Sequence, residues 1–223
     1  MNEQRSPFFL FLFGGLILFI FILMVVAILP KQTVVFTDEQ EEEEIADSSF
    51  IHDYDPIQGE ESADVVIFFY ADFLCESCAD IADSLSRISQ DYGESVAIVW
   101  KDFPNITAHP LAPEASIAAR CAEKQDAFWE YADRLFVNQD LITETTAEEV
   151  FTQIAEDLDL GMWRFNRCLS KQQTFDDLEA SYQDSLNADL TSAPTLRIND
   201  EWFTGIITEQ ELRTIITSQP LDL

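Results

Sequence analysis

Cys75-Glu76-Ser77-Cys78 constrains the fold of this chain more than any other stretch. It follows the apolar run Val65-Val66-Ile67-Phe68-Phe69-Tyr70 closely and opens a helical pattern over residues 79–89, in which Ile81, Leu85 and Ile88 recur at spacings of four and three. The spacing predicts a buried strand that turns into a helix, with both cysteines at the helix start. Free N–H groups and the positive end of the helix dipole gather there, so the first sulfur ionises more readily than a free thiol. Thiolate is the attacking species in disulfide exchange. The competing use of such a pair is half of a zinc site. A structural zinc site takes a second close ligand pair, and the chain has no second Cys-x-x-Cys and no His-x-His. The pattern points to redox chemistry, with no metal and no organic cofactor expected.

Residues 8–29 carry no charge. At 1.5 Å per residue they reach about 33 Å, enough to cross a hydrocarbon core, so residues 1–30 read as an uncleaved transmembrane anchor. A cleaved signal peptide, with Val25 and Ala27 before the cut, is the alternative, although its apolar region is ordinarily shorter. Arg5 and Lys31 flank the span evenly and leave its orientation open. The chemistry is more decisive: a dithiol accompanied by two further cysteines suits an oxidising compartment, which places the bulk of the chain outside the cytoplasm.

Residues 31–54 read as an acidic linker. Asp38, Glu39, Glu41, Glu42, Glu43 and Glu44 repel one another and favour an extended spacer; a docking tail is the alternative, and Val34-Val35-Phe36 has the composition of a short edge strand. The formal net charge is −30, with 12 basic against 42 acidic residues. Repulsion argues against nucleic acid or anionic lipid as a partner of the soluble part. Such a composition also suits high salt, where screening relieves self-repulsion, and the expected sign is an unfolding midpoint that rises on titration with salt.

Residues 55–223 make one domain. Strands are expected over 65–70, 95–100 and 195–198, with a fourth over 201–204 after an Asn199-Asp200 turn. A helical block spans about 113–186, in which Ile117, Cys121, Phe128, Tyr131 and Leu135 keep the helical period. Thr146 with Glu149, and Thr208 with Glu211, have the form of capping boxes. The order strand, dithiol helix, strand, helical block, hairpin, helix predicts an α/β fold with a helical insertion.

Phe73-Leu74-Cys75-Glu76-Ser77-Cys78, Trp100-Lys101-Asp102-Phe103-Pro104, His109-Pro110, Phe128-Trp129-Glu130-Tyr131 with Leu135-Phe136, and Ser192-Ala193-Pro194-Thr195 occur in an order that resembles the DsbA-type thiol:disulfide oxidoreductases, in their membrane-anchored branch. The resemblance covers nearly all of residues 55–219. It implies a thioredoxin-like fold with the helical insertion at about 112–187, Cys75 as nucleophile, Cys78 as resolving cysteine, and a cis-proline loop at Ala193-Pro194 beside them; a trans-proline opening a strand is the other reading. It also implies exported proteins bearing thiols or disulfides as substrates and an integral membrane redox partner. A disulfide reductase or isomerase is the nearest alternative. From another class comes a non-enzymatic Cu(I) chaperone that uses the same two thiolates.

Two departures from the family pattern stand out. Phe69 occupies the place, six residues before the first cysteine, where relatives often bury an acid; Asp72, three before it, matches a common family acid but is not given that role. Glu76-Ser77 replaces Pro-His, and a negative charge at Glu76 is expected to raise the Cys75 pKa, giving a weaker oxidant than the strongest relatives. Four cysteines permit three pairings. With Cys75 and Cys78 reserved for exchange, Cys121 and Cys168 are a structural disulfide candidate of the kind some relatives carry, or else two buried free thiols. His52 and His109 are isolated from any ligand spacing, and Asn105-Ile106-Thr107 fits a short glycosylation pattern.

Overall fold

The computed structural model describes residues 50–219. The apolar span, the acidic run and the Val34-Val35-Phe36 stretch lie outside them. The elements in order are β1 (Ile57–Gln58), β2 (Val65–Ala71), α1 (Glu76–Tyr92), β3 (Val96–Asp102), α2 (Ala112–Glu123), α3 (Phe128–Val137), α4 (Ala147–Asp157), α5 (Met162–Leu169), α6 (Gln172–Asn187), β4 (Thr195–Ile198), β5 (Glu201–Thr204) and α7 (Glu209–Ser218). The sheet runs β1-β3-β2-β4-β5. Only β2 and β3 are parallel neighbours, joined through α1; the other three pairings are antiparallel.

β2 is central, and every residue in it is buried. Val65, Ile67, Phe69 and Ala71 belong to one core cluster, and Val66, Phe68 and Tyr70 to a second. A strand covered on both faces needs no polar alternation, which is why it reads as a continuous apolar run. On the first face lie Cys78, Ile81, Leu85 and Ile88 of α1 together with apolar residues of α2, α3 and α4; on the second lie Phe50, Ile51 and Tyr182 of α6. Thr195 at the start of β4 pairs with Tyr70 near the end of β2. The Ala193-Pro194 loop therefore arrives at the sheet end from which the Cys75 segment departs.

Several boundaries differ from expectation. β3 continues through Lys101 and Asp102, whose polar identity hid the last two strand positions; both are buried and paired. α1 extends from Glu76 to Tyr92 and stops at Gly93. β1 was not foreseen. It ends at Gly59, φ +100°, where a Cβ would come within 2.7 Å of the Val96 carbonyl oxygen, so the close approach of this segment to β3 requires glycine there. The expected capping box at Thr208 is present, with Thr208 Oγ1 accepting from Glu211 N and the Glu211 carboxylate accepting from Thr208 N. The box expected at Thr146 is not: its hydroxyl donates to the Leu141 carbonyl in the preceding turn, although α4 does begin after it. Residues 50–54, read as the end of the linker, pack on the domain: Phe50 lies 3.9 Å from the Arg197 guanidinium, and Tyr54 donates to Asp184 at 2.8 Å.

Cys121 of α2 and Cys168 of α5 form a disulfide within the insertion, Cα to Cα 5.6 Å. It closes a loop of 47 residues. A Cys121→Ala, Cys168→Ala variant is expected to lose about 2–4 kcal/mol, chiefly because the unfolded chain regains entropy. Urea unfolding of the two proteins checks this as a drop in midpoint.

Candidate active site: the Cys75–Cys78 dithiol

Cys75 is the N-cap of α1, with extended backbone (φ −91°, ψ 119°). Its sulfur accepts from the Cys78 amide at 3.3 Å and lies 3.3 Å from Ser77 Oγ. Its carbonyl starts the helix by accepting from Cys78 N and Ala79 N, at 3.1 and 3.2 Å. Both thiols are free; Cys75 is half-buried and Cys78 fully buried one turn deeper. The accessible sulfur is thus the one set at the helix N-terminus.

The two sulfurs are pushed apart in acidity. The Cys78 thiol, donating to Cys75, does most to lower the Cys75 pKa; burial opposes it, and the Ser77 hydroxyl and Cys78 amide add to the lowering, giving about 6 against an ordinary 9.0. Burial drives the Cys78 thiol far upward, and its hydrogen bond to Cys75 adds to the rise. The negative charge that works against the Cys75 thiolate is Asp72. Glu76, from which the sequence reading expected a raised pKa, is exposed at the helix surface, and the net shift at Cys75 is downward. A value of about 6 stands above the ~3.5 of a very strong oxidant.

The sign of the pH dependence follows. Between about 6 and 9 the folded reduced protein holds Cys75 as thiolate while the unfolded chain holds it as thiol, so the unfolded state binds more protons. Stability of the reduced form rises with pH across that window and is lost as pH falls through about 6. The oxidised form has no such group. Iodoacetamide alkylation of Cys75 is expected to reach half its plateau rate near pH 6. Ser77→Ala is expected to move that midpoint up by about one unit, the worth of one hydrogen bond to a charged group at ~1.5 kcal/mol.

Three residues that sequence reasoning left without a role hold this loop. Asp72, its side chain fully buried, accepts from Leu74 N (2.7 Å) through Oδ1, and from Asn105 N (2.8 Å) and His109 Nδ1 (2.7 Å) through Oδ2. Gln139, in the short turn after α3, donates its amide to the carbonyls of Phe73 (2.7 Å) and Cys75 (3.0 Å). The nearest signal for Asp72 and His109 was their place in family-like stretches; Gln139 gave none. Phe69 sits edge-on to Trp100 at 5.5 Å, and Phe73 stacks on Trp100 at 4.3 Å, so an aromatic floor takes the place of a buried acid at that position.

The Ala193–Pro194 peptide bond is cis. The Pro194 carbonyl accepts from Gly205 N at 2.9 Å, and Thr195 Oγ1 donates to the Ser192 carbonyl at 2.8 Å, which fixes the loop on both sides. His52 Nε2 lies 3.3 Å from Asp184 of α6. Among the described residues no group of three or more His, Cys, Asp or Glu is placed to hold a metal ion, and no helix is long and apolar enough to cross a membrane.

Comparison with solved structures finds the same architecture in alpha-DsbA1 of Wolbachia pipientis, with a TM-score of 0.67 at 17% identity over 76% of this chain and 92% of that one. BdbD of Bacillus subtilis in its oxidised form gives 0.65 at 19% identity, over 74% and 92%. At such identities the likeness speaks for the fold. A cysteine pair of divided acidity on a fold of this type defines the class of thiol:disulfide oxidoreductases. A family model described as thioredoxin matches residues 52–218, and the chain belongs to that family, with the DsbA-like helical insertion. Among curated proteins, the Na(+)/H(+) antiporter NhaA 1 of Mycolicibacterium vanbaalenii is 27% identical over 147 residues, 66% of this chain but 24% of that protein, and its counterpart in Mycolicibacterium gilvum is 25% identical over 151. The chain spans about a quarter of the length of these relatives.

Proposed function

We propose that this chain is a membrane-tethered, extracytoplasmic thiol:disulfide oxidoreductase that forms or exchanges disulfides in exported proteins. The observation that carries the chemistry is the divided pair: an accessible Cys75 that leaves readily as thiolate, beside a buried Cys78 that does not. In the forming direction, a substrate thiolate attacks Cys75 Sγ of the Cys75–Cys78 disulfide, and Cys78 departs and takes up a proton. The substrate's second thiolate then attacks its own sulfur in the mixed disulfide. Cys75 leaves as thiolate, the substrate is oxidised by two electrons, and the dithiol is left reduced. The extended substrate segment lies along Ala193, just beyond the last register pair of β4, Tyr70 with Thr195.

Reoxidation requires an electron acceptor, and an integral membrane redox partner is the class that suits a tethered protein. The uncharged span at residues 8–29 supports the tether. That a related domain occurs within proteins named antiporters agrees with work at a membrane. Equilibration of the full-length protein with glutathione tests the direction. A potential above about −200 mV supports disulfide formation or isomerisation, whereas one near about −270 mV marks an electron donor and overturns the forming reading.

A further inference from the structure

We propose that Gln139 is a positioning residue of the exchange site: by occupying the Cys75 carbonyl oxygen it directs the Cys78 N–H toward the Cys75 sulfur, and so tunes that sulfur from within the helical insertion. This rests on the reading of Cys75 as the exchanging sulfur. The Cys75 carbonyl receives three donors, Cys78 N at 3.1 Å, Ala79 N at 3.2 Å and Gln139 Nε2 at 3.0 Å. A carbonyl oxygen has two lone pairs, so the three compete. The bond from Ala79 N is the first of helix α1 and stays with the oxygen. Gln139 is kept in place by a second bond, its amide also donating to the Phe73 carbonyl at 2.7 Å. The donor with an alternative acceptor is Cys78 N, which lies 3.3 Å from Cys75 Sγ as well.

The share of that N–H given up by the oxygen is gained by the sulfur, and the gain is largest when the sulfur is a thiolate, because hydrogen bonds to a charged acceptor are the stronger ones. In the disulfide the same sulfur is only a weak acceptor, so the Gln139 amide favours the reduced dithiol over the oxidised one. Without the amide, the Cys75 oxygen reclaims the Cys78 N–H. The loop itself does not depend on this side chain. Leu74 N donates to Asp72 Oδ1 at 2.7 Å, Cys75 N donates to the Asp72 carbonyl at 3.1 Å, and Phe73 packs against Trp100 and Phe136 at 4.3 and 5.2 Å. The turn bearing Gln139 is likewise closed by its own backbone, with Ile142 N donating to the Gln139 carbonyl at 3.1 Å. Removing the amide therefore changes the hydrogen bonding of Cys75 while the fold persists.

Gln139→Met keeps the length of the side chain and removes the donor. In the full-length protein the readouts are the equilibrium constant with glutathione at several pH values and the pH profile of Cys75 alkylation. At about pH 8 the tendency to oxidise glutathione is expected to fall about fivefold, the worth of one hydrogen bond. At about pH 5 it is expected to match wild type, because Cys75 then holds its proton in both proteins and the redirected N–H meets no charge. The alkylation midpoint is expected to rise by about 0.7 of a unit, the same fivefold. Gln139→Asn, which keeps the amide but lacks the reach, carries the same expected results and stands in where methionine disturbs the fold. A wild-type protein that shows no low-pH thiolate overturns the reading of Cys75 and this proposal with it. A wild-type thiolate that the variants do not move, or a change in the glutathione constant that is the same at every pH, overturns the role of Gln139 alone, since general support of the fold does not depend on the charge of Cys75.

Discussion

Cys78→Ser is expected to turn the protein into a covalent trap whose turnover falls to the uncatalysed level. The Cys75 thiolate still attacks a substrate disulfide, but the mixed disulfide then has no neighbouring sulfur to release it. Serine is the informative replacement. Its hydroxyl sits where the Cys78 thiol donates to Cys75, the interaction that does most to keep Cys75 acidic, so nucleophilicity survives while resolution is lost. Cys78→Ala removes that donor as well and should form the adduct more slowly at neutral pH. Cys75→Ser should form none, because Cys78 is fully buried. Non-reducing electrophoresis after incubation with a disulfide-bonded protein distinguishes the three; an adduct on Cys75→Ser, or near wild-type turnover by Cys78→Ser, reverses the assignment of the two sulfurs.

Arg120→Met is expected to cost about 3–5 kcal/mol, which for a domain of this size lowers the thermal midpoint by roughly 10 °C. Arg120 is fully buried, donates from Nε to Asp102 Oδ2 at 2.8 Å, and caps the Tyr54 carbonyl from Nη1 at 2.7 Å. Asp102 accepts from Trp100 Nε1 at 2.9 Å through its other oxygen, and its backbone is held by Ser181 and Ser185 of α6. Removing the cation strands a carboxylate with no exit to water. The double variant Arg120→Met, Asp102→Leu should recover much of the loss, since a well-packed apolar pair often replaces a buried ion pair without penalty. Thermal unfolding of the single and double variants decides it: a double variant as unstable as the single one would show that the orphaned charge is not the cause.

What the residues disclosed, and what they hid, divides along physical lines. β2 and the dithiol helix are legible because a continuous apolar run and an i, i+3, i+4 pattern report burial directly. The β4–β5 hairpin is legible because Asn199 takes φ +48° at the turn and a turn of that kind favours asparagine. The same residue also accepts from Val66 N at 3.0 Å, which ties the hairpin to β2 and could not be read from local sequence. β1 is two residues long and has no period to detect. Lys101, Asp102 and Arg120 look like surface residues until their partners, far along the chain, are brought alongside. The Thr146 box failed because a hydroxyl beside another turn had a second acceptor available. At the site, the cysteines were plain from spacing; the contacts of Asp72 with Asn105 and His109, and of Gln139 with Phe73 and Cys75, were not, because each joins segments that approach only in the folded chain.

Gln139 gives the molecule a mechanical property. Its two bonds rivet the segment bearing Cys75 to the turn that follows α3, so the exchange loop and the helical insertion share any load placed on either. A substrate held by a mixed disulfide is a tether, and a polypeptide collapsing into its fold pulls on it. That tension is not borne by the cysteine hinge alone: the rivet spreads it into a helical block cross-braced by the Cys121–Cys168 bond, so the loop keeps its shape while its cargo moves.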